Sequence, residues 1–307
     1  MADPGRWTCG PETCRHPQAE ILARHCTAAG RYIAAVRCES FYPEGRSTGV
    51  GVVVLAGSSG RLERQRSLLL AAHGALAIAL GYFGGPGEPP GICEVPLETI
   101  TAAVDSLVGQ GCGRIGLVGV SKGAEAALLV ATLDARVDAV IAFAPTSVVW
   151  ANVGPGLDGM DRPPRSSWTW RGEPLAFVPY DTDWKPPPGD VPAFRTLYEQ
   201  SLAKFSHDAA RATIAVERTR AQVVAIAGGD DQVWPSERFA AEIARRMKEH
   251  GGDVTVLIGP DAGHRVVLPG EDRVSGGQPM ARGGSDEADA ALGERAWRVL
   301  AQTLGLR

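Results

Sequence analysis

The stretch Ile115-Gly-Leu-Val-Gly-Val-Ser121-Lys-Gly-Ala-Glu-Ala-Ala-Leu-Leu-Val130 decides how the chain is interpreted. An apolar run typical of a β-strand leads into Gly119-Val-Ser-Lys-Gly123, and an alanine- and leucine-rich helical run follows at once. Strand, G-x-S-x-G and helix in this order define a nucleophile elbow, which holds a serine at the tip of a sharp turn. The pentapeptide alone could arise by chance in a glycine-rich chain. With its flanking strand and helix, it predicts that Ser121 is a nucleophile.

Strand-like and helical segments alternate on both sides of this stretch. The clearest is the buried run 49–55, which ends in the turn Ala56-Gly-Ser-Ser-Gly60. The other predicted strands are 75–80, 115–118, 137–143, 222–227 and 254–258, with a weak signal at 33–41. The predicted helices are 19–32, 64–73, 97–108, 124–133, 193–204, 236–250 and 286–304. Repeated strand–helix units with short apolar strands predict an α/β fold, in which helices cover both faces of a mostly parallel sheet.

The alternation stops between residues 144 and 192, a stretch rich in Pro, Gly and Trp. We expect this insertion to lack regular structure, and long ordered loops in compact domains are usually functional. It contains Trp150, Trp168, Trp170 and Trp184. Large aromatic side chains beside a site bind apolar or flat parts of a ligand. These four tryptophans therefore either line a substrate pocket or attach a long loop to the core.

Composition excludes several classes of protein. With 44% hydrophobic and 21% charged residues and a formal net charge of -4, the chain is typical of a globular protein without affinity for nucleic acid. No membrane span or secretory signal is visible, which predicts a cytoplasmic location. The six cysteines (9, 14, 26, 38, 93 and 112) lack the spacing of a zinc site, so we expect reduced thiols and no metal.

A serine nucleophile needs a base, and the base needs an acid that orients it. Three histidines follow Ser121 in the chain. His207 precedes a region poor in strands, and His250 ends a predicted helix. His264 comes directly after the predicted strand 254–258, at the edge where sites of parallel sheets form. His264 is therefore the predicted base.

The acid should follow the preceding strand, 222–227, where Asp230 and Asp231 are adjacent. We favour Asp231, because the fourth residue of a Gly-x-x-Asp turn can point back across the sheet edge, and Asp230 stays the alternative. Asp134, Asp138 and Asp261 are weaker candidates.

The oxyanion of the tetrahedral intermediate needs backbone N–H donors. Lys122, the residue after the nucleophile, should supply one. The turn after strand 49–55 should supply the other through Ser59, with Ser58 and Gly60 near the substrate. Lys122 and Glu125 are also expected to form an i,i+3 ion pair. A direct catalytic role for the Lys122 amine is less favoured, because His264 already supplies the base.

The sequence from about residue 49 onward resembles the C-terminal catalytic domain of the acyl-CoA thioesterase and bile acid-CoA:amino acid N-acyltransferase family, close to the dienelactone hydrolases. The resemblance is carried by Gly57-Ser-Ser-Gly60, Ala79-Leu-Gly-Tyr-Phe-Gly84, Val95-Pro-Leu-Glu98, Gly119-Val-Ser-Lys-Gly-Ala-Glu125, Ser166-Ser-Trp-Thr-Trp-Arg-Gly172, Gly228-Gly-Asp-Asp-Gln-Val-Trp-Pro-Ser236 and Ala262-Gly-His264. It implies an α/β-hydrolase fold at residues 46–307, with Ser121 as nucleophile, Asp231 as acid and His264 as base.

Two features depart from this family. Its members commonly carry an N-terminal β-sandwich domain, whereas residues 1–45 are expected to be a short variable segment. Its acyltransferases often use a cysteine nucleophile, whereas a serine ester is open to water. The resemblance therefore implies a hydrolase of acyl-CoA or of an acyl carrier protein's phosphopantetheine thioester, without a cofactor. The alternatives are an acyltransferase or cyclase that uses an amine or hydroxyl acceptor, and a non-catalytic binding protein.

Overall fold

The computed structural model describes residues 36–43, 45–189, 191–273 and 278–307. Its strands are β1 Cys38–Phe41, β2 Val50–Leu55, β3 Leu76–Leu80, β4 Val95–Pro96, β5 Arg114–Val120, β6 Ala139–Phe143, β7 Trp168–Trp170, β8 Glu173–Pro174, β9 Gln222–Gly228 and β10 Val254–Gly259. Seven of them form one sheet in the order β1-β3-β2-β5-β6-β9-β10. Only the β1–β3 pair in this sheet is antiparallel. The predicted mostly parallel sheet is therefore confirmed.

Helices cover both faces of this sheet. In the described part of the chain they are α1 Arg64–Ala72, α2 Glu98–Gly109, α3 Lys122–Leu133, α4 Arg195–Lys204, α5 Ser206–Arg211, α6 Ser236–Glu249 and α7 Asp286–Leu304. Apolar residues of α2, α3 and α6 belong to one buried cluster, and those of α1 and α7 to a second. Because β2 contributes Val53 to the first cluster and Val52 to the second, its side chains alternate between two buried faces. Burial on both faces explains why the strands appear in the sequence as continuous apolar runs.

The insertion at 144–192 contains regular structure, contrary to our expectation. Its strands β7 and β8 form a three-stranded sheet with β4. Nearer the start of the insertion, the N–H of Val149 donates to Ala212 O at 2.8 Å, and the N–H of Ala151 donates to Val178 O at 3.0 Å. The pattern of apolar residues in the sequence did not predict these strands, because each is only two or three residues long.

The N-terminal prediction is only partly within the described residues. The predicted helix 19–32 and cysteines 9, 14 and 26 lie outside them. Strand β1, which falls in the segment predicted to be variable, pairs with β3 at the edge of the main sheet. No helix in the described parts of the chain combines the length and the apolarity needed to cross a bilayer.

The turn between β5 and α3 is as tight as the glycines predicted. Ser121 has φ 55° and ψ -119°, a conformation that costs free energy for a residue with a side chain. A Cβ atom added to Gly119 would lie 2.3 Å from the carbonyl oxygen of Gly123. One added to Gly123 would lie 2.4 Å from Ala56 O, on the neighbouring β2 side. Both positions therefore exclude any side chain.

We expect Gly119→Ala and Gly123→Ala each to lower the free energy of unfolding by about 1–3 kcal/mol or more, because the new methyl group overlaps backbone atoms. The matched control is Gly109→Ala in α2, where an added Cβ meets no atom within 4 Å. This control should be neutral or slightly stabilising. Urea unfolding followed by circular dichroism measures all three. Wild-type stability in Gly123→Ala would contradict the tight turn.

Candidate active site

Ser121 lies at the carboxyl ends of the parallel strands and lines a cavity there. It follows β5, and its backbone N–H donates to Phe143 O at 2.9 Å, which ties the turn to the neighbouring strand β6. The residue is 7% exposed and lines a cavity of about 310 Å³. The loops after β2, β9 and β10 reach the same edge of the sheet, because parallel strands place their carboxyl ends together.

Asp231 and His264 are joined at this edge. Asp231 Oδ2 lies 2.8 Å from His264 Nδ1, and Asp231 is fully buried. The other carboxylate oxygen, Oδ1, accepts the N–H groups of Val233 at 2.9 Å and Trp234 at 3.2 Å. The imidazole packs edge-on against the Trp234 ring, with 5.7 Å between ring centroids. His264 lines the same cavity as Ser121.

The alternative acid, Asp230, has a different set of contacts. Its Oδ2 accepts the N–H of Gly284 at 2.8 Å, and its Oδ1 accepts the side-chain amide of Gln232 at 2.7 Å. Two residues before Gly284, Arg282 O accepts the backbone N–H of His264 at 2.9 Å. Asp230 therefore holds the segment behind His264, while Asp231 contacts the imidazole itself.

The remaining candidates lie elsewhere. His207 is exposed on α5, and His250 bonds to Arg246 O through Nδ1 at 2.9 Å. Asp134 bonds to Arg136, and Asp138 accepts the N–H of Ile115 at the opposite end of β5. Asp261 is exposed.

The residues predicted to supply oxyanion donors line the same cavity as Ser121. Ser58, Ser59 and Lys122 line the cavity together with Ser121. Gly57 brings the turn after β2 close to the elbow, since a Cβ added to it would lie 3.1 Å from Ser121 Cβ. Lys122 is the first residue of α3, where backbone N–H groups have no acceptor within the helix. Its N–H group is therefore available beside Ser121.

Gly60 has another role in the turn after β2. It has φ +66°, and its carbonyl oxygen accepts Arg37 Nη2 at 2.7 Å. The described residues around the cavity do not include it. Its glycine is explained by the left-handed backbone.

The cavity combines an aromatic wall with a basic part. Its described lining, beyond the residues already placed there, consists of Arg61, Val120, Asn152, Val153, Tyr180, Phe194, Leu197, Tyr198, Val233, Trp234, Arg265, Gln278, Met280 and Arg282. Tyr198 packs edge-on against Trp234, with 5.4 Å between centroids. The sequence did not indicate that Tyr198 of α4 lines the cavity. Trp234 and Arg265 were missed as well, although they lie close to Asp231 and His264 in the chain.

None of the four predicted tryptophans is among the described residues of this lining. Trp150 and Trp168 are fully buried, and their indole N–H groups donate to Thr146 Oγ1 and Glu125 Oε1 at 2.9 and 2.8 Å. Trp170 lies under the Arg171 guanidinium. Trp184 donates to Thr196 and packs at a tilt against Phe194, with 5.6 Å between ring centroids, and Phe194 does line the cavity. In this structure they attach the insertion to the core.

The predicted Lys122–Glu125 pair is present and lies in the core. Lys122 Nζ is 2.6 Å from Glu125 Oε2, with side chains 2% and 0% exposed. Burial lowers the pKa of Lys122 and raises the pKa of Glu125, while the opposite charge of the partner acts against burial in both. Glu125 Oε1 also accepts Trp150 N–H at 3.1 Å and the Trp168 indole N–H. One carboxylate thus joins the helix behind Ser121 to the insertion.

Comparison with known proteins identifies related sequences. Residues 109–304 match the profile of a family described as BAAT / Acyl-CoA thioester hydrolase C terminal. Acyl-coenzyme A thioesterase 1 of Homo sapiens is 27% identical over 97% of this chain and 68% of its own length. Acyl-coenzyme A thioesterase 2, mitochondrial, of Homo sapiens is 26% identical over 97% of this chain and 60% of its own. Acyl-coenzyme A amino acid N-acyltransferase 2 of Mus musculus is 27% identical over 96% and 66%. The chain thus spans about two thirds of these relatives' length.

Solved structures resemble this fold at low sequence identity. A dienelactone hydrolase-like promiscuous phosphotriesterase from metagenomic libraries aligns with TM-score 0.50 and 15% identity, over 88% of this chain and 98% of its own. A puromycin-hydrolyzing peptidase of Mycobacterium tuberculosis aligns with TM-score 0.52 and 16% identity, over 89% of this chain and 38% of its own. An acylaminoacyl peptidase aligns with TM-score 0.51 and 13% identity, over 88% and 39%. These likenesses confirm the predicted α/β-hydrolase fold.

We expect Glu125→Ala to lower the free energy of unfolding by about 3–5 kcal/mol, because it leaves the Lys122 charge buried without its partner. The matched control is Glu249→Ala, which removes a carboxylate from an ion pair with Arg245 whose side chains are 51% and 62% exposed. An exposed pair contributes about 0–1 kcal/mol. Chemical denaturation measures both variants. Equal losses in the two would contradict a structural role for Glu125.

Proposed function

The chain belongs to the BAAT / Acyl-CoA thioester hydrolase C-terminal family, and we propose on that premise that it is a serine-dependent acyl thioester hydrolase. The observation that carries the proposal is the buried Asp231–His264 contact of 2.8 Å, beside the cavity that Ser121 also lines. The relatives named as acyl-coenzyme A thioesterases support the thioester as the substrate class.

In the proposed reaction, the Ser121 hydroxyl attacks the thioester carbonyl while His264 Nε2 accepts its proton. The Asp231 carboxylate receives the Nδ1–H of the imidazole, which selects the tautomer with a free Nε2 and stabilises the imidazolium. The carbon–sulfur bond then breaks, and His264 gives its proton to the leaving sulfur, so the carrier departs as a thiol. Neutral His264 next takes a proton from water, which attacks the acyl-serine ester. Return of that proton to the Ser121 oxygen releases the acid and restores the enzyme. No metal or redox cofactor takes part in these steps.

Asp231 is held in place for this role. Because Val233 and Trp234 donate backbone N–H groups to its Oδ1, the carboxylate cannot rotate away from the imidazole.

The oxyanion would be stabilised by the backbone N–H of Lys122 and by that of Ser59. The N-terminus of α3 adds a partial positive charge at the same place. The loss of one donor of this kind raises the barrier by about 2.7–4 kcal/mol. The glycines at 119 and 123 serve catalysis indirectly, since they let α3 begin immediately beneath the nucleophile.

The thiol carrier in this proposal is CoA or the phosphopantetheine arm of a carrier protein. The aromatic wall of the cavity would contact the acyl group, because apolar and aromatic side chains bind alkyl chains by excluding water. A cytoplasmic location also stays a prediction.

Acyl transfer is the second candidate function. One relative is named as an amino acid N-acyltransferase, at 27% identity. Transfer would use the same acyl-serine and replace water by an amine or a hydroxyl group. Mass spectrometry of the products, with and without an added amino acid, separates the two reactions.

We expect Ser121→Ala to abolish both thioester hydrolysis and labelling by a fluorophosphonate probe, because the acyl acceptor is lost. Asp231→Asn should lower kcat by about 10⁴-fold, because the amide favours the wrong imidazole tautomer. The matched control is Asp230→Asn. In the described structure the Asp230 side chain bonds to Gly284 and Gln232 and not to the imidazole, so this variant should reduce kcat far less.

Steady-state kinetics and probe labelling measure these effects on folded protein. Wild-type protein that neither reacts with the probe nor hydrolyses any thioester would favour the non-catalytic binding protein. A greater loss in Asp230→Asn than in Asp231→Asn would refute the assignment of the acid.

We expect Leu197→Ala to shift the preference towards longer acyl chains by about tenfold or more, because it enlarges the cavity at its apolar wall. The matched control is Leu157→Ala, at a leucine that is 75% exposed in the insertion. It should leave the preference unchanged. The ratio of kcat/KM for two chain lengths is the readout. An unchanged ratio in Leu197→Ala would place the acyl group elsewhere.

A further inference from the structure

Three arginines, Arg61, Arg265 and Arg282, line the cavity of Ser121, and we name them the arginine cluster. The described residues of this lining include no aspartate or glutamate. The mechanism above uses none of the three guanidinium groups. A positively charged wall beside a nucleophile therefore needs its own explanation.

The backbone places the arginine cluster next to the catalytic residues. Arg265 directly follows His264, and Arg282 O accepts the backbone N–H of His264 at 2.9 Å. Arg61 follows the turn that carries Ser58 and Ser59. The three side chains thus come from two segments far apart in the chain, the turn after β2 and the connection between β10 and α7, and the fold assembles them around the site.

The guanidinium groups act on one another. Burial and the positive charges of Arg282 and Arg61 together lower the pKa of Arg265 to about 10, against a smaller opposite effect of Glu63. Burial and the charge of Arg61 likewise lower the pKa of Arg282. Mutual repulsion between partly buried cations costs free energy, which a bound anion would offset.

In the described part of the chain, the contacts of Arg282 and Arg61 supply one carboxylate to these two arginines. Arg282 donates to the neutral carbonyl oxygens of Met280 and Gln278 at 3.3 and 3.2 Å. Arg61 pairs with Glu63 at 3.0 Å. Glu63 lines a second cavity and is not among the described residues that line the cavity of Ser121.

This second cavity, of about 340 Å³, adjoins the first. Arg61 and Arg265 belong to both linings, so their side chains lie at the junction. Arg66 also lines the second cavity; it is 4% exposed, and its Nη1 has no hydrogen-bond partner in the described structure. Arg66 also pairs with Glu271 at 2.8 Å, and Glu63, Glu271 and Asp272 line this second cavity. The excess of positive charge therefore lies on the side of the first cavity, where the described lining has no carboxylate.

We propose that the arginine cluster is an anion site, which binds a phosphate or carboxylate group carried by the thioester substrate. Guanidinium groups match both oxyanions with paired, charge-assisted hydrogen bonds. The proposal rests on the proposed function, because it treats the bound anion as part of the substrate. The anion has two sources, the phosphates of the thiol carrier and a carboxylate on the acyl group.

Three substrates distinguish these sources. Pentanoyl-pantetheine carries neither anion, pentanoyl-CoA adds the phosphates, and glutaryl-pantetheine adds a carboxylate to an acyl chain of the same length. The readout is the kcat/KM of each anionic thioester divided by that of pentanoyl-pantetheine. In Arg265→Gln and Arg282→Gln, one of the two ratios should fall by about tenfold or more. The ratio that falls identifies the source.

The controls test charge and folding. Arg265→Lys retains the charge and should recover part of the lost ratio. Arg245→Gln, at an exposed arginine on α6, should leave both ratios at their wild-type values. For wild type, added salt should lower the sensitive ratio, because ions screen the attraction. This measurement does not depend on a variant that folds.

Two results would overturn the anion site: ratios that are unchanged in both glutamine variants, or a wild-type preference that does not respond to salt. Failure of the proposed function looks different, since no thioester would then be hydrolysed. Calorimetric binding of free CoA, pantetheine and glutarate to wild type and Arg265→Gln does not depend on turnover. If no thioester is hydrolysed, equal binding of each probe by the two proteins would still refute the anion site.

Discussion

The close approach of β5 and α3 at Ser121 is the constraint on which the site depends. It holds a residue with a side chain at φ 55°, and it is possible only because positions 119 and 123 carry no Cβ. The strain is local, while the contacts that oppose it are spread over the buried strands on both sides. In return, the serine hydroxyl stands clear of the sheet, and the N-terminus of α3 lies immediately behind it.

A buried charge sits directly behind this turn and links it to the rest of the molecule. Glu125 binds Lys122 on its own helix and two tryptophans of the insertion, so three donors contact a carboxylate that has no access to water. Buried ion pairs add little net stability, yet the loss of one partner is expensive. The same arrangement therefore fixes the position of the insertion relative to the nucleophile, and it explains why Trp150 and Trp168 face the core instead of the cavity.

The cavity that results is chemically divided. Aromatic residues of α4 and of the loop after β9 form one part. Arginines from two loops, those after β2 and after β10, form another. His264 packs against Trp234 and directly precedes Arg265 in the chain. An acyl thioester has a similar division, with an apolar chain, a polar reacting group and, in CoA, several phosphates. In the proposed function, the two parts of the cavity would contact different parts of one substrate.

The sequence by itself determined the mostly parallel sheet, the elbow and the edge of the sheet at which three polar residues lie. Apolar runs mark buried parallel strands, and Ser121, Asp231 and His264 each follow one, so topology alone brings them to one edge. The closing helix, Asp286–Leu304, has the bounds predicted for it. Only the tertiary structure decided that Asp231 contacts His264 while Asp230 binds Gly284, that the four tryptophans lie outside the cavity lining, and that three arginines converge. The physical reason is that loop side chains are oriented by contacts between segments distant in sequence, which local patterns do not encode.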